Sequence, residues 1–171
     1  MSGIIGVSPN MKSGVVGKYP TGHVLDVKYV VVQTGSASAT DATYVDAPNL
    51  TSSITPKSNN NKILITVNLH LYIGQHTDDA WRRSNFAIYR TGGASTGIVF
   101  TSGAAADSYS YATHVTNDTD RQMQRNPFMW LDSPATTSEV TYKIQFNASN
   151  GEVYYEATYG KSEMTLMEIT V

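Results

Sequence analysis

Histidine and aspartate side chains are the residues of this 171-residue chain best suited to holding a metal ion. His76 stands beside Asp78 and Asp79, and imidazole and carboxylate groups at this spacing can ligate a cation. The other three histidines are scattered along the chain. Loops of soluble proteins often collect the same residues, so a solvated loop is the simpler interpretation. We therefore expect no metal site and no cofactor.

Glutamates on predicted strands suggest a second kind of chemistry, hydrolysis by a pair of carboxyl groups. Two carboxylates that meet across neighbouring strands would resemble a glycosidase pair. Glu156 and Glu168 fall on faces that we expect to point outward, where solvation alone accounts for a charge. No phosphate-binding glycine loop and no His-Glu-x-x-His motif is present. We expect a protein that is not an enzyme; a hydrolase built on a β-sandwich is the third alternative.

Trp81, Arg82 and Arg83 place an aromatic ring beside two guanidinium groups, a combination that binds sugars, phosphates or a neighbouring subunit. Tyr154 is a further aromatic residue that we place on a solvated strand face. If exposed tyrosines and Trp81 stacked on sugar rings, the chain would be a carbohydrate-binding module. That is the alternative function from another class. A loop anchor packed on its own domain accounts for the Trp-Arg-Arg cluster at least as well.

The composition predicts an all-β protein. Ser and Thr contribute 37 residues and Tyr contributes 11, whereas helix-forming residues are comparatively scarce. Charged residues make up 15% of the chain and the formal net charge is −2, so no basic field attracts nucleic acid or an anionic membrane. Cysteine is absent, which excludes disulfides and thiolate-bound metal. We expect neither a signal peptide nor membrane insertion.

Alternation of apolar and polar residues predicts half-buried strands in three segments. In KILITVNLHLYIG, residues 62–74, the apolar positions are Ile63, Ile65, Val67, Leu69 and Leu71. In VTYKIQF, residues 140–146, they are Val140, Tyr142, Ile144 and Phe146. In VYYEATY, residues 153–159, they are Val153, Tyr155, Ala157 and Tyr159. We expect the first two sets to be buried.

Shorter strands are predicted between turn signals. They span 23–33, 43–47, 84–90, 97–101, 108–115, 128–131 and 164–171, and the least regular stretch is 75–83. Asn150-Gly151 is the strongest hairpin signal and joins two of the longer alternating segments. No segment shows a 3.6-residue period, so we expect no helix longer than about three turns. About ten short strands predict an antiparallel two-sheet sandwich, a jelly roll, over residues 23–171.

Residues 1–22 have a different character from the rest of the chain. GIIG at 3–6 is echoed by GVVG at 14–17, with turn-forming and polar residues between them. Two β-branched pairs flanked by glycine cannot build a core or a helix. We predict a docking arm that adds short β segments to another protein, with Ile4, Ile5, Val15 and Val16 as its buried side chains.

Three segments resemble virion structural and tail-fibre-like proteins of marine bacteriophages. They are MSGIIGVSPNMKSGVVGKYPTGHVLDV at 1–27, SITPKSNNNKILITVNL at 53–69 and MTLMEI at 164–169. The resemblance covers the arm and the first, middle and last strands, and it does not extend to residues 75–131. It implies a jelly roll similar to the trimeric heads of the tumour necrosis factor and C1q class.

The resemblance implies a non-enzymatic virion component, namely a head fibre, a decoration protein or a tail-fibre-type adhesin. It would assemble in the host cytoplasm, dock on other virion proteins of the capsid or tail through its arm, and present a trimeric head that contacts a host-surface glycan. Apolar groups on faces that we expect to be solvated also favour a homotrimer. They are Tyr72 beside His70, Tyr154 opposite Tyr155, and Met164 with Leu166.

Overall fold

The computed structural model describes residues 11–12, 15–16, 21–73, 80–102, 111–115 and 122–171. These residues form β-strands and no helix, which confirms the all-β prediction. The strands are β1 (Met11–Lys12), β2 (Val15–Val16), β3 (Val24–Val32), β4 (Ser36–Ala39), β5 (Val45–Ile54), β6 (Lys62–Ile73), β7 (Ala80–Thr91), β8 (Gly97–Thr101), β9 (Tyr111–Val115), β10 (Gln122–Asp132), β11 (Val140–Asn150), β12 (Val153–Glu156) and β13 (Ser162–Ile169).

Two antiparallel sheets pack face to face, which confirms the predicted sandwich. In the first sheet β6 pairs with β10 along one edge, while β13 and β12 share its other edge. Strand β3 pairs with β13, and β4 pairs with β12. The second sheet has the order β5-β11-β7-β8, and β9 pairs with the first residues of β7. Apart from β7 and β8, the paired strands of the two sheets are not consecutive in sequence, which is typical of a jelly roll.

The core lies between the two sheets and contains the side chains that alternation singled out. The five apolar residues of β6 and the four of β11 are all buried, which confirms both predictions. Because side chains alternate across a strand, the polar residues between them point to the opposite face. Each large apolar side chain removed from water contributes roughly 1.5–3 kcal/mol to folding.

The predicted hairpin at Asn150-Gly151 is wrong. β11 belongs to the second sheet and β12 to the first, so the turn carries the chain from one sheet to the other. Gly151 has a φ of 79°, which suits a tight reversal. The ring centroids of Phe146 and Tyr155 lie 6.3 Å apart. Because the chain crosses between sheets here, the apolar faces of β11 and β12 approach the same core from opposite sides.

The face assigned to the last strand is also wrong. We expected Met164 and Leu166 to be solvated and Glu168 to point outward, but all three are buried in β13. The segment MTLMEI has apolar residues at both parities, so alternation alone cannot choose its inward face. Pairing with β3 and β6 makes the choice. On other strands His70, Tyr72 and Tyr155 are buried too, which removes them from the expected surface patch.

Several strands differ from the predictions, and β5 and β10 for example run well beyond the predicted 43–47 and 128–131. β7 begins at Ala80 and takes in residues predicted to be irregular, because β9 pairs with that end of it. β4 was not predicted, since its alternating Ser and Ala side chains are small and give a weak strand signal; pairing with β12 holds it in the sheet. β12 ends at Glu156, which leaves Tyr159 exposed outside the strand.

The predicted docking arm is described only in part. β1 and β2 pair with each other, with Met11 opposite Val16 and Lys12 opposite Val15. Ile4 and Ile5 lie outside the described residues. The backbone N of Gly22 donates to the carbonyl oxygen of Thr170 at 2.8 Å, so the chain joins the sandwich at that point. The division at residue 22 stays a prediction.

Candidate assembly surface

The outward face of the first sheet carries a row of apolar side chains. Met167 on β13 stands opposite Val27 on β3 and Leu64 on β6, and Leu64 stands opposite Leu131 on β10. Side chains in such cross-strand register are direct neighbours on one face. Val27 and Leu131 are exposed, and the two central residues are half-buried.

A second row on the same face lies beside the first. Tyr29 and Met129 stand at its two ends, separated by Thr165 and Thr66, and they are 61% and 67% exposed. We call the six apolar residues of the two rows the outer patch: Val27, Tyr29, Leu64, Met129, Leu131 and Met167. Contiguous exposed apolar groups of this kind mark interaction sites. A shallow hollow of about 200 Å³ next to them is lined by Tyr29, Thr66, Asn68, Glu163 and Thr165.

The outward face of the second sheet is polar. Asp46 accepts a 2.7 Å hydrogen bond from Nζ of Lys143 and a 2.6 Å bond from Nε2 of Gln145. Burial alone would raise the pKa of Asp46, but these two donors hold it below its ordinary value. The Lys143 ammonium also lies 4.8 Å from the ring centroid of Tyr89. This face has the charge network of a surface that stays in water.

Aromatic rings fill the side of the sandwich where β8 and β10 lie. Phe128 stacks on Phe86 and Phe100, with ring centroids 4.3 and 5.6 Å apart, and Phe100 contacts Trp130 at 5.4 Å. Ile98, Phe100 and Trp130 line an open hollow of about 290 Å³. We call these three residues the aromatic edge. It joins the two sheets while leaving Ile98 and Trp130 exposed.

A buried polar network lies at the end of β10, two residues beyond Trp130. NH1 of Arg90 donates to Oδ2 of Asp132 at 2.5 Å, and the Tyr142 hydroxyl donates to the same oxygen at 2.7 Å. Burial, and then the bond to Asp132, raise the pKa of Tyr142 far above its ordinary value. Since Asp132 ends β10 in the first sheet and the other two residues lie in the second, the network ties the sheets together.

Residues 93–97 read Gly-Ala-Ser-Thr-Gly, the spacing of a nucleophile elbow. Here they form the turn between β7 and β8 rather than a strand-to-helix turn. The Oγ atom and the carbonyl oxygen of Ser95 both accept hydrogen bonds from Arg90. Ser95 therefore accepts the hydrogen bonds that Nε and NH2 of the buried guanidinium group donate, while NH1 bonds to Asp132.

The surface-recognition residues predicted from the sequence are divided between the two sheets. Trp81, Arg82 and Arg83 lie on β7, with Trp81 opposite His114 of β9; the side chains of the first two lie outside the described residues. Tyr154 lies on β12 of the first sheet, where its ring stacks on Tyr72 at 4.7 Å with planes 9° apart. One face of that ring is thus covered within the chain.

The metal site considered at His76, Asp78 and Asp79 lies outside the described residues. Within the described ranges no group of three or more His, Cys, Asp or Glu side chains is placed to hold a metal ion. Nor do those ranges contain a helix long and apolar enough to cross a membrane.

Sequence reasoning missed the outer patch. Pro127 to Leu131 reads PFMWL, with large apolar residues at both parities, and MTLMEI has the same property. Strands with apolar residues on both faces could have indicated the outer patch, because only one face of such a strand can pack against the core.

Comparisons with known proteins give distant structural likenesses. No family model matches the chain, and no curated protein matches it. Among solved structures, the infectious bursal disease virus VP2 subviral particle is 13% identical with a TM-score of 0.46, covering 98% of this chain. The T=1 particles derived from infectious bursal virus are 12% identical over 98% of this chain, with a TM-score of 0.44. Dimeric latent PorU from Porphyromonas gingivalis is 10% identical over 90%, with a TM-score of 0.45.

This chain spans 41%, 40% and 14% of those three chains, respectively.

Proposed function

We propose that this chain is a non-enzymatic structural protein of a bacteriophage virion, whose β-sandwich assembles into a homotrimeric head. It would serve as a head fibre, decoration protein or tail-fibre-type adhesin, docked on capsid or tail proteins through residues 1–22 and assembled in the host cytoplasm. The sequence resemblance supports the phage context. The contrast between the outer patch and the polar outward face of the second sheet supports the head assembly.

A homotrimer needs two different surfaces on each subunit that fit one another. A contact between unlike patches generates a ring when the rotation closes. The outer patch is broad and lies on a sheet face, whereas the aromatic edge is narrow and lies along β8 and β10. The edge of one subunit is suited to pack on the face of the next. A stable interface of this kind buries roughly 800 Å² or more per partner.

Sedimentation velocity of the full chain tests the assembly. We expect a trimer at micromolar concentration, and we expect Met129→Asp to yield monomers, since it places a charge in the most exposed apolar side chain of the outer patch. Thr91→Asp is the matched control, because it adds the same charge at an exposed strand position of the second sheet. A monomeric wild type, or a Met129→Asp variant that remains trimeric, would contradict the trimer.

Composition of purified particles tests the virion assignment independently. Mass spectrometry of particles purified from infected cells should detect the chain at a fixed ratio to the major capsid protein. Its presence only in the soluble fraction of the lysate would contradict the proposal, whatever its oligomeric state.

The carbohydrate-binding alternative rested on Trp81 and the exposed tyrosines. Tyr72 already covers one face of Tyr154, and the side chain of Trp81 lies outside the described residues. Glycan-array binding by the purified chain remains the direct test of this alternative.

A further inference from the structure

The hollow beside the outer patch brings a carboxylate and an aromatic ring together on the outward face of the first sheet. Glu163 and Tyr29 both line it, and its volume is about 200 Å³. Glu163 is half-buried and makes no ion pair or side-chain hydrogen bond with the described residues. The Tyr29 ring is 61% exposed. A guanidinium group suits such a pair, because it bonds to a carboxylate and stacks on an aromatic face.

The aromatic edge, which the proposed trimer sets against this face, carries one basic residue. Arg125 is the only lysine or arginine of β8 and β10, the two strands of that edge. Its side chain is exposed, and within the described part of the chain it makes no ion pair or hydrogen bond. The charge of Arg125 on one surface is therefore complementary to the charge of Glu163 on the other.

The spacing of these residues along the strands also agrees. Arg125 lies five residues from Trp130 on β10, which is about 16 Å at the rise of an extended strand. On the receiving face, Leu64 lies four residues from Asn68, the residue opposite Glu163, which is about 13 Å. If Trp130 of one subunit packs on the row through Leu64 of the next, the long side chain of Arg125 reaches the hollow.

The edge of β10 is suited to contact through side chains rather than to strand addition. Among the described strands, β10 pairs only with β6, so it is an edge strand of the first sheet. Pro127 lies near its middle and has no backbone N–H to donate to an added strand. A neighbouring subunit therefore meets β10 through residues such as Arg125 and Trp130.

We propose that Arg125 of one subunit enters the hollow of the next, where its guanidinium group pairs with Glu163 and lies against the Tyr29 ring. This inference rests on the homotrimer proposed above and names the ion pair that fixes the orientation of neighbouring subunits. Apolar contacts of the outer patch supply most of the affinity, whereas a charge pair at their margin selects one register. The amide oxygen of Asn68 and the hydroxyl groups of Thr66 and Thr165 are acceptors for the remaining guanidinium N–H groups.

Sedimentation velocity of the full chain over a concentration series tests the pair. Glu163→Gln and Arg125→Gln should each weaken trimer association at least about tenfold. The double variant Arg125→Glu with Glu163→Arg should restore most of the lost association, because it reverses the pair and keeps the net charge. Glu139→Gln is the matched control, since it removes the same charge at an exposed position outside the hollow, and it should associate like the wild type.

Mixing two variants shows whether the pair joins different subunits. Arg125→Glu and Glu163→Arg should each dissociate, because each places like charges in every contact. Mixed in equal amounts they should associate again in part, since in a mixed ring of three subunits two of the three contacts join opposite charges. A pair formed within one chain would give no such recovery, because each chain still carries two like charges.

The outcomes separate this inference from the proposed function. A trimer that Glu163→Gln leaves at wild-type affinity would overturn the Arg125–Glu163 contact and leave the trimer standing. Failure of the mixed variants to associate would likewise overturn the contact between subunits. A monomeric wild type would overturn the homotrimer and this contact with it.

Discussion

The imidazole ring of His70 occupies the space that a side chain at Gly160 would need. A Cβ atom built on Gly160 would overlap the ring. His70 is 5% exposed, its backbone N donates to Oγ of Ser162 at 2.9 Å, and its Nδ1 lies 3.3 Å from the carbonyl oxygen of Glu156. β12 pairs with β6 as far as Leu71 and β13 pairs with it from Asn68 onward, so the ring of His70 lies where one strand succeeds the other.

Gly160→Ala should therefore destabilise the fold by about 1–3 kcal/mol, the usual cost of overpacking a buried site. His70→Ala should also destabilise, because it leaves a cavity where one strand succeeds the other. In the double variant the added methyl group meets no ring, so the two effects should be clearly less than additive. Urea unfolding of the four proteins measures the coupling. Additive effects would contradict the contact.

Stability should fall as the solution becomes mildly acidic. Burial lowers the pKa of His70, the backbone carbonyl of Glu156 opposes that shift, and the charge of Arg125 adds to it. Because the unfolded chain binds a proton at its ordinary pKa near 6.5 and the folded chain does not, stability is lost as pH drops below about 6.5. Above about pH 6.5 His70 is neutral in both the folded and the unfolded chain, so it does not change the stability there.

His70→Asn should flatten the decline in Tm between pH 7 and pH 5. Asp26, Asp41 and Asp46 have pKa values below their ordinary value, so they add a separate loss as pH falls below about 4. Equal pH dependence of the wild type and His70→Asn between pH 7 and pH 5 would show that His70 is not the responsible group.

Removal of the Asp132 carboxylate should be among the most damaging substitutions. Asp132→Ala leaves the Arg90 guanidinium buried without its counter-charge and should cost about 3–5 kcal/mol. Tyr142→Phe removes one hydrogen bond to the same carboxylate and should cost about 1.5–3 kcal/mol. The double variant Arg90→Met with Asp132→Leu should be more stable than Asp132→Ala, since no unpaired charge remains. Chemical denaturation ranks the three, and the reverse order would contradict this account.

Deleting residues 1–20 should leave the head folded and abolish attachment to the particle. The deletion ends before Gly22, whose backbone bonds to Thr170, and removes no residue of the sandwich strands. Each apolar anchor of the arm is worth roughly 1.5–3 kcal/mol when buried. Ile4→Asp with Val15→Asp should behave like the deletion, whereas Lys12→Ala should matter little. Normal occupancy of the truncated protein on assembled particles would contradict the docking role of the arm.

Much of the fold was predictable where apolar and polar residues alternate strictly, because such a strand has only one face that can be buried. Ile63 to Leu71 on β6 and Val140 to Phe146 on β11 alternate strictly, so one face had to be buried. The predictions failed where both parities are apolar. Met164 and Met167 of β13 offered two possible faces, and the wrong choice misplaced Glu168 together with its neighbours. The candidate surface depended on that same choice, which is why its residues were not found.

Side-chain alternation is a local property of an extended chain, so it was enough to predict the all-β class, most of the longer strands and the apolar faces of β6 and β11. Which strands share a sheet depends on pairing between segments far apart in the chain. Asn150-Gly151 encodes a reversal equally well within a sheet or between two sheets, and hydrogen bonds to distant strands select the second. The burial of Glu168 and the formation of the outer patch also follow from the pairing of β3, β6, β10 and β13. Where both faces of a strand are apolar, its pairing partners and not its own sequence select the face that packs against the core.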